Sequence, residues 1–438
     1  MKGLFLLAGI TALLTLTAGL SAPNTLHETS GQEPPNTVAA LSAQAVKAYQ
    51  AKDFARFLDY ERRALKLEPE NPRLAYNVAC GEALRGNAAE SVRLLDQLVD
   101  RKLDLSAEND DDFAGIRKTS EWAEFESRLA QLRKPLVHSE AAFKLEEPGL
   151  VATGLAADEH TGDVYIASVR DRKILRRTRS GVVSDFISQA QDGFLAGDSL
   201  AIDAPRHLLI ASTSAVPYMK HYAKEDSGRS GIFAFDLKSG KLLKKALLPA
   251  DGNRHILNAL AVDRAGNVYV SDSGSSGIYL LRAKSNELEV FVAPDVFRAA
   301  QGLAFSDDEK TLYVADWTDG VWALDMATKQ RRSLDAPEGV WLFGLDGLSR
   351  VKDGFISVQI GVQPQRVLHL KLDSTGRRIA AVDILEMNHP EYEGPIQGAI
   401  DGKTFLYVAN SQLDLGNPQT GAFASDRAHP TAVLRLPL

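Results

Sequence analysis

One cysteine, Cys80, stands in 438 residues. That excludes an internal disulfide and any zinc or iron–sulfur site built from cysteines. Neither sign of charge dominates: 50 Lys and Arg face 57 Asp and Glu, a formal net of −7. The balance gives no electrostatic ground for a nucleic-acid partner. Long apolar runs are missing after residue 22, so a polytopic membrane protein is excluded. Several enzyme signatures are absent as well: there is no Gly-x-Ser-x-Gly elbow, no His-Glu-x-x-His and no Gly-rich phosphate loop with its lysine. What is present is ordinary, 45% hydrophobic and 24% charged residues. This is ample for a core, in a chain too long for one domain of common size.

The chain opens with Lys2 and the uncharged run GLFLLAGITALLTLTAG (residues 3–19), followed by the small residues Ser21 and Ala22. This predicts a signal peptide over 1–22, and with it export to a periplasm or the outside. A retained membrane anchor is the alternative. Residues 23–36, rich in Pro, Thr and Glu, predict a flexible linker.

From 37 to 135 the apolar residues recur at helical spacing, as in Phe54, Phe57, Leu58, Ala64 and Leu65, and again in Leu94, Leu95 and Leu98. Asn71-Pro72 reads as a helix start and Gly86-Asn87 as a stop. Cys80, among Val78, Ala79 and Gly81, reads as a buried small hydrophobe. The stretch ALKLEPENPRLAYNVACGEALRGNAAESVRLLDQL (64–98) resembles tetratricopeptide repeats, with Ala64 as the small packing residue and Pro69 as the closing proline. The resemblance implies a helical-repeat domain offering a groove to a protein or peptide partner; a structural cap is the alternative.

After Pro135 the texture changes to short β-rich runs punctuated by Gly, Asp and Asn. Six hairpins recur, starting at Thr153, Asp198, Asn258, Gln301, Asp346 and Gln397, at intervals of 43–60 residues. Third and fourth strands follow the hairpins. Four antiparallel strands repeated six times predict an all-β six-bladed β-propeller over 140–438. The unpaired segment 142–146 is expected to close the ring as the outer strand of the last blade, beside Val433–Leu436. The fold class is therefore multidomain, all-α helical repeats followed by an all-β propeller.

Aligned hairpins give two polar columns. The six first-strand starts form one; Ser168, Ser212, Asp272, Asp316, Gln359 and Asn410, at the ends of the second strands, form the other. A hairpin returns its second strand to the end where the first began, so both columns belong to one face, around the mouth of the channel. Carboxylate and amide oxygens there suit a hard cation, Ca2+ or another divalent ion, with Asp198 and Asp346 three blades apart and facing each other. A polar, water-filled channel without a metal is the alternative.

The hairpins QGLAFSDDEKTLYVAD (301–316) and DGLSRVKDG (346–354) resemble the senescence-marker-protein/gluconolactonase group of propellers, which includes calcium-dependent lactonases, and share features with NHL-type propellers. The resemblance implies a metal held by Glu, Asn, Asn and Asp at four first-strand starts. Asn258 and Asp346 match, Gln301 replaces an Asn, and Thr153 replaces the Glu. Asp198 is the compensating carboxylate, and Asp346 the catalytic base in the family pattern.

Further candidates are His389, as a general base or metal ligand, and Asp272, Asp316, Gln359, Arg366 and Asn410, as ligand-binding residues on the propeller face. The long second-blade insertion carrying Tyr218, Met219, His221 and Tyr222 reads as part of a lid. Two functions follow: an exported ligand- or protein-binding scaffold, and, as the alternative, a calcium-dependent hydrolase of the lactonase type. The helical module and Thr153 weigh toward the scaffold.

Overall fold

A computed structural model of the chain describes residues 36–438 apart from Ala250. The expected signal peptide and all but the last residue of the linker lie outside the described residues. The chain divides into two compact units: one comprises the chain through Lys134 together with Val362–Pro364, the other Pro135–Gly361 and Gln365–Leu438.

Among the described residues the first unit holds five α-helices, α1 (Val38–Gln50), α2 (Phe54–Leu67), α3 (Pro72–Leu84), α4 (Ala88–Asp100) and α5 (Ser120–Leu132). Side-chain oxygens cap each start: Thr37, Asp53, Asn71, Asn87 and Thr119 all accept a backbone N–H of the first turn. Pro72 occupies the first position of α3, where its missing N–H costs nothing. Each helix packs on the next in sequence. Short turns enforce this from α1 to α4, and the apolar stripes then meet: Leu41, Ala64 and Leu74 share one cluster. An aromatic chain anchors the far end, with Trp122 fully buried, 5.6 Å from Phe113 and 5.1 Å from Phe125 between ring centres. Among the described residues no helix is long and apolar enough to cross a membrane.

The second unit is a six-bladed β-propeller of 24 strands. Blade I is β2 (Ala152–Asp158), β3 (Asp163–Ser168), β4 (Lys173–Arg177) and β5 (Val183–Ile187). Blade II is β6 (Ala196–Asp203), β7 (Leu208–Ser214), β8 (Ser230–Asp236) and β9 (Leu242–Leu247); blade III is β10 (Leu257–Val262), β11 (Val268–Asp272), β12 (Gly277–Leu281) and β13 (Leu288–Val292). Blade IV is β14 (Ala300–Phe305), β15 (Thr311–Asp316), β16 (Gly320–Asp325) and β17 (Arg331–Ser333); blade V is β18 (Leu345–Val351), β19 (Gly354–Gln359), β20 (Arg366–Leu372) and β21 (Ile379–Met387). Blade VI takes three strands from the C-terminus, β22 (Gly398–Asp401), β23 (Thr404–Val408) and β24 (Thr431–Pro437), and its outer strand, β1 (Glu140–Leu145), from the start of the unit.

All neighbouring strands pair antiparallel, and β1 pairs with β24 as expected. Glu386, fully buried at the end of β21, fastens this closing segment. It accepts His138 N–H at 3.0 Å, Ser139 N–H at 2.7 Å and Ser139 Oγ at 2.9 Å, and also the Tyr392 and Tyr407 hydroxyls.

The core is not one mass. Six apolar layers fill the gaps between adjacent blades, such as Tyr165, Leu209, Phe233 and Phe235 between blades I and II, and Tyr313, Leu345, Phe355 and Leu370 between IV and V. Second strands are buried throughout, while outer strands such as β17 are exposed. The inner strands β2, β6, β10, β14, β18 and β22 touch their neighbours around a closed ring, so whatever they project inward converges on the axis.

Candidate functional site

The ring brings the first polar column together. Thr153, Asp198, Asn258, Gln301, Asp346 and Gln397 all start or immediately precede an inner strand. In four blades the pairing register slips where the column residue stands, between Ala152 and Gly154, Gly197 and Leu200, Leu257 and Leu260, and Ala300 and Gly302; in blade V Asp346 pairs with Val358 and the slip follows it, before Ser349. A bulge inserts an unpaired residue and re-aims its side chain. The recurrence explains why a polar residue is tolerated there on an otherwise apolar strand.

Small neighbours let the inner strands crowd. A Cβ on Gly154 would lie 2.6 Å from Asp198 O, and one on Gly302 would lie 2.7 Å from Gly347 C. Hydroxyls then tie blade to blade. Thr153 Oγ1 donates to Gly197 O at 2.9 Å, Ser212 Oγ to Asn258 O at 2.9 Å, Ser271 Oγ to Gln301 O at 3.3 Å and Ser349 Oγ to Gly398 O at 3.0 Å. The backbone of Asn258 and of Gln301 is thereby fixed without using its side chain.

The side chains form the site. Asn258 Oδ1 is buried and has no hydrogen-bond partner among the described residues. Burial pushes the Asp198 carboxyl up to about 7, and the nearby charge of Asp346 adds to the effect. Burial likewise pushes Asp346 up to about 6, against the pull of the Gln397 N–H that its Oδ2 accepts at 3.0 Å. Two carboxyls and an orphaned amide oxygen thus belong to one ring of inner-strand residues, and the charge of Asp346 disfavours ionisation of Asp198. A dication would reverse that penalty, and the donor set is all oxygen, which suits a hard ion. The residues present fit a cation of the calcium type. Thr153 stands outside this set, because its hydroxyl is spent on Gly197.

The second column is differently employed. Register places Thr213, opposite Gly197, at the position the sequence alignment gave to Ser212. The shift is one residue, in the blade whose hairpin turns through a short 3-10 segment, Ala204–Arg206, before β7. Asp272 accepts Ile256 N–H, Gly274 N–H and Ser275 Oγ, together with His255 Nδ1 at 2.5 Å. Asp316 accepts four backbone amides, from Arg298, Ala299, Thr318 and Asp319. Gln359 Nε2 donates to Trp341 O and Phe343 O, and its Oε1 accepts Arg366 Nε at 2.6 Å. Asn410 bridges Ala432 N–H and Pro430 O. These buried groups staple the loops of the mouth, and their hydrogen-bonding capacity is consumed there. Burial also lowers the Arg366 guanidinium, to about 10. His389 lies on the loop entering blade VI, where its Nδ1 accepts Glu391 N–H at 3.0 Å.

Two long loops cover part of the same face. Residues 215–229, between β7 and β8, carry Tyr218 and Met219 into a cluster with Val151, Val169, Leu195 and Ala196, against which Leu413 and Phe423 of the loop between β23 and β24 also pack. Arg170 stacks its guanidinium 3.7 Å from the Phe423 ring centre, and Lys220 pairs with Asp171 at 2.6 Å. The Tyr218 phenol is pushed well above its ordinary range by burial and then by the charge of Asp198. Tyr218 is thus drawn to the site although no spacing in the sequence marks it. The glycine that follows Thr153, Gln301, Asp346 and Gln397 was a readable sign of strand convergence.

No family model and no curated protein matches this chain. Among solved structures it is similar to a luciferin-regenerating enzyme, with 16% identity, 70% of this chain and 96% of that one covered, and a TM-score of 0.48. It is also similar to a calcium-binding regucalcin from Agrobacterium tumefaciens (18% identity, 68% and 93% covered, TM-score 0.45) and to a gluconolactonase from Xanthomonas campestris (18%, 70% and 92%, TM-score 0.45). The likeness is one of fold: the chain carries a six-bladed β-propeller whose structural neighbours include propellers of the gluconolactonase and regucalcin type.

Proposed function

We propose that the propeller is a hydrolase of lactones or related cyclic esters that works with a hard dication, calcium by preference, at its channel mouth. The observation that carries the reading is that the ring of inner strands bears the orphaned Asn258 Oδ1 and two carboxyls that burial pushes up, Asp198 and Asp346. A scaffold needs neither feature. Asp198, Asn258, Gln301 and Asp346 would hold the ion, which when bound supplies polarisation of an ester carbonyl.

The rest belongs to the chain. Asp346 keeps Oδ2 on the Gln397 amide, which orients the carboxylate and leaves Oδ1 to take a proton from the attacking water. The water oxygen bonds to the carbonyl carbon, the ring C–O bond breaks, and the proton passes to the departing alkoxide. The two long loops shield part of the mouth and hold Tyr218 over it, excluding water that would compete for the carboxylates.

The test is a pH-stat assay of the full chain with calcium on a panel of aldono- and alkyl-lactones. Turnover should fall by about 100-fold or more in Asp346→Asn. Absence of any Asp346-dependent turnover across the panel would refute hydrolysis and return the scaffold reading.

A further inference from the structure

The helical unit buries acid where no cation answers it. Asp110 and Asp112 sit in the 3-10 turns joining α4 to α5, and Cys80 on α3 faces them. Cys80 is 4% exposed, Asp110 5% and Asp112 9%. The Cys80 Sγ and one oxygen from each carboxylate lie within 4.8 Å of one another. Tyr76 donates its hydroxyl to Asp110 at 2.9 Å and Tyr49 donates to Asp112 at 2.6 Å, so both carboxylates are held toward the thiol from outside the cluster. Among the described residues no Lys, Arg or His side chain bonds to either carboxylate. Arg117, the guanidinium beside them, donates to the Asp110 backbone carbonyl instead.

An independent group points the same way. Glu61 on α2 is 2% exposed, and its Oε2 has no hydrogen-bond partner among the described residues. Its carboxylate is bonded to Asn77, one turn before Cys80 on the same face of α3, and its charge bears on the Cys80 thiol. Among the described residues these three buried carboxyls and the thiol have no bonded countercation, and ionising them together is costly. Such groups persist where a proton or a metal ion neutralises them.

We propose that Cys80, Asp110 and Asp112, with Glu61 as the fourth acidic group, form a binding site for a borderline transition-metal dication of the zinc type. The thiolate distinguishes it chemically from the oxygen-lined propeller site, since sulfur selects zinc or cobalt over calcium. Binding releases the thiol proton, and ion occupancy braces α2, α3 and the turn before α5. A single cysteine rules out a site of cysteines, but not one thiolate among carboxylates.

Cobalt(II) titrated into the reduced full-length chain tests this, because a cysteine thiolate bound to cobalt gives a near-ultraviolet charge-transfer band that carboxylates cannot. The band should appear at one equivalent, vanish in Cys80→Ser, weaken in affinity by about tenfold or more in Asp112→Asn, and persist in Asp346→Asn. Zinc should raise the melting temperature of Asp346→Asn and leave that of Cys80→Ser unmoved. Absence of the band in the wild-type chain, or a band that Asp112→Asn leaves untouched, would overturn the proposal and make the cluster a protonated hydrogen-bond network.

Discussion

Replacing Glu386 tests how the propeller ring is held shut. The carboxylate accepts five hydrogen bonds, two of them from the backbone amides of His138 and Ser139 that lead into β1. In Glu386→Leu those two amides are left buried without an acceptor, at about 1–3 kcal/mol each, so the loss should be about 2–6 kcal/mol. The hydroxyls suffer less, because Tyr392 and Tyr407 already lie 3.2 Å apart and can bond each other. Glu386→Gln should cost less, about 1–3 kcal/mol, since its carbonyl can keep the amides while the rotatable hydroxyls accept from its NH2.

The pH response follows from the same contacts. Burial pushes the Glu386 carboxyl up, but the bonds from Tyr407, Ser139 and His138 outweigh it and hold the group below its ordinary value. A depressed carboxyl stabilises the fold above its unfolded value of about 4.3 and loses that contribution as pH falls through the folded value. Urea unfolding followed by near-ultraviolet circular dichroism at pH 7 and pH 3 should show a smaller acid loss in Glu386→Leu than in wild type. Equal acid losses, or a Leu variant within about 0.5 kcal/mol of wild type, would refute the closure argument.

Trp122→Ala empties the aromatic anchor of the helical unit and should cost about 3–5 kcal/mol, read by the loss of helical circular dichroism on heating. His255 is raised by its bonds to Asp272 and Asp251, with Tyr279 edge-on as its other titratable neighbour. Its stabilisation is complete below about pH 6.5 and is lost as pH rises through the raised value. The melting temperature of wild type should therefore fall more steeply than that of His255→Gln on the alkaline side, and parallel curves would count against the assignment. Gly302→Ala places a methyl 2.7 Å from Gly347 C and must part the inner strands of blades IV and V. It should cost at least about 2 kcal/mol and abolish any calcium-induced rise in melting temperature; an unchanged rise would show that the inner strands need not converge this tightly.

The propeller was readable because its hairpins repeat at a nearly fixed period, and a repeat must stack on its copies to bury its faces. The first polar column was readable for the same reason, since one position in six copies is polar on a strand that is otherwise apolar. The second column has the same chemistry but a different role: Asp316 meets four amides of its own blade, contacts set by loop conformation rather than spacing. Thr213 was missed because it stands in a polar run, Ser212 to Ser214, within which spacing alone picks no one residue. In the helical unit the apolar stripe of α2 announced Phe57, Leu58 and Ala64 but not Glu61, which is buried with them. An acid on a buried face carries no periodic signature, and its companions Tyr49 and Asp112 lie 63 residues apart in the chain.

Calcium content is the direct measure of the channel-mouth site. Elemental analysis of the purified full-length chain, with melting in calcium and in chelator, should find one bound calcium ion and a higher melting temperature with calcium, equivalent to about 2.7 kcal/mol at a hundredfold excess over the dissociation constant. Both should disappear in Asp198→Asn. A wild-type chain free of metal that melts identically in calcium and in chelator would contradict the site and leave Asp198, Asn258 and Asp346 as the lining of a water-filled channel.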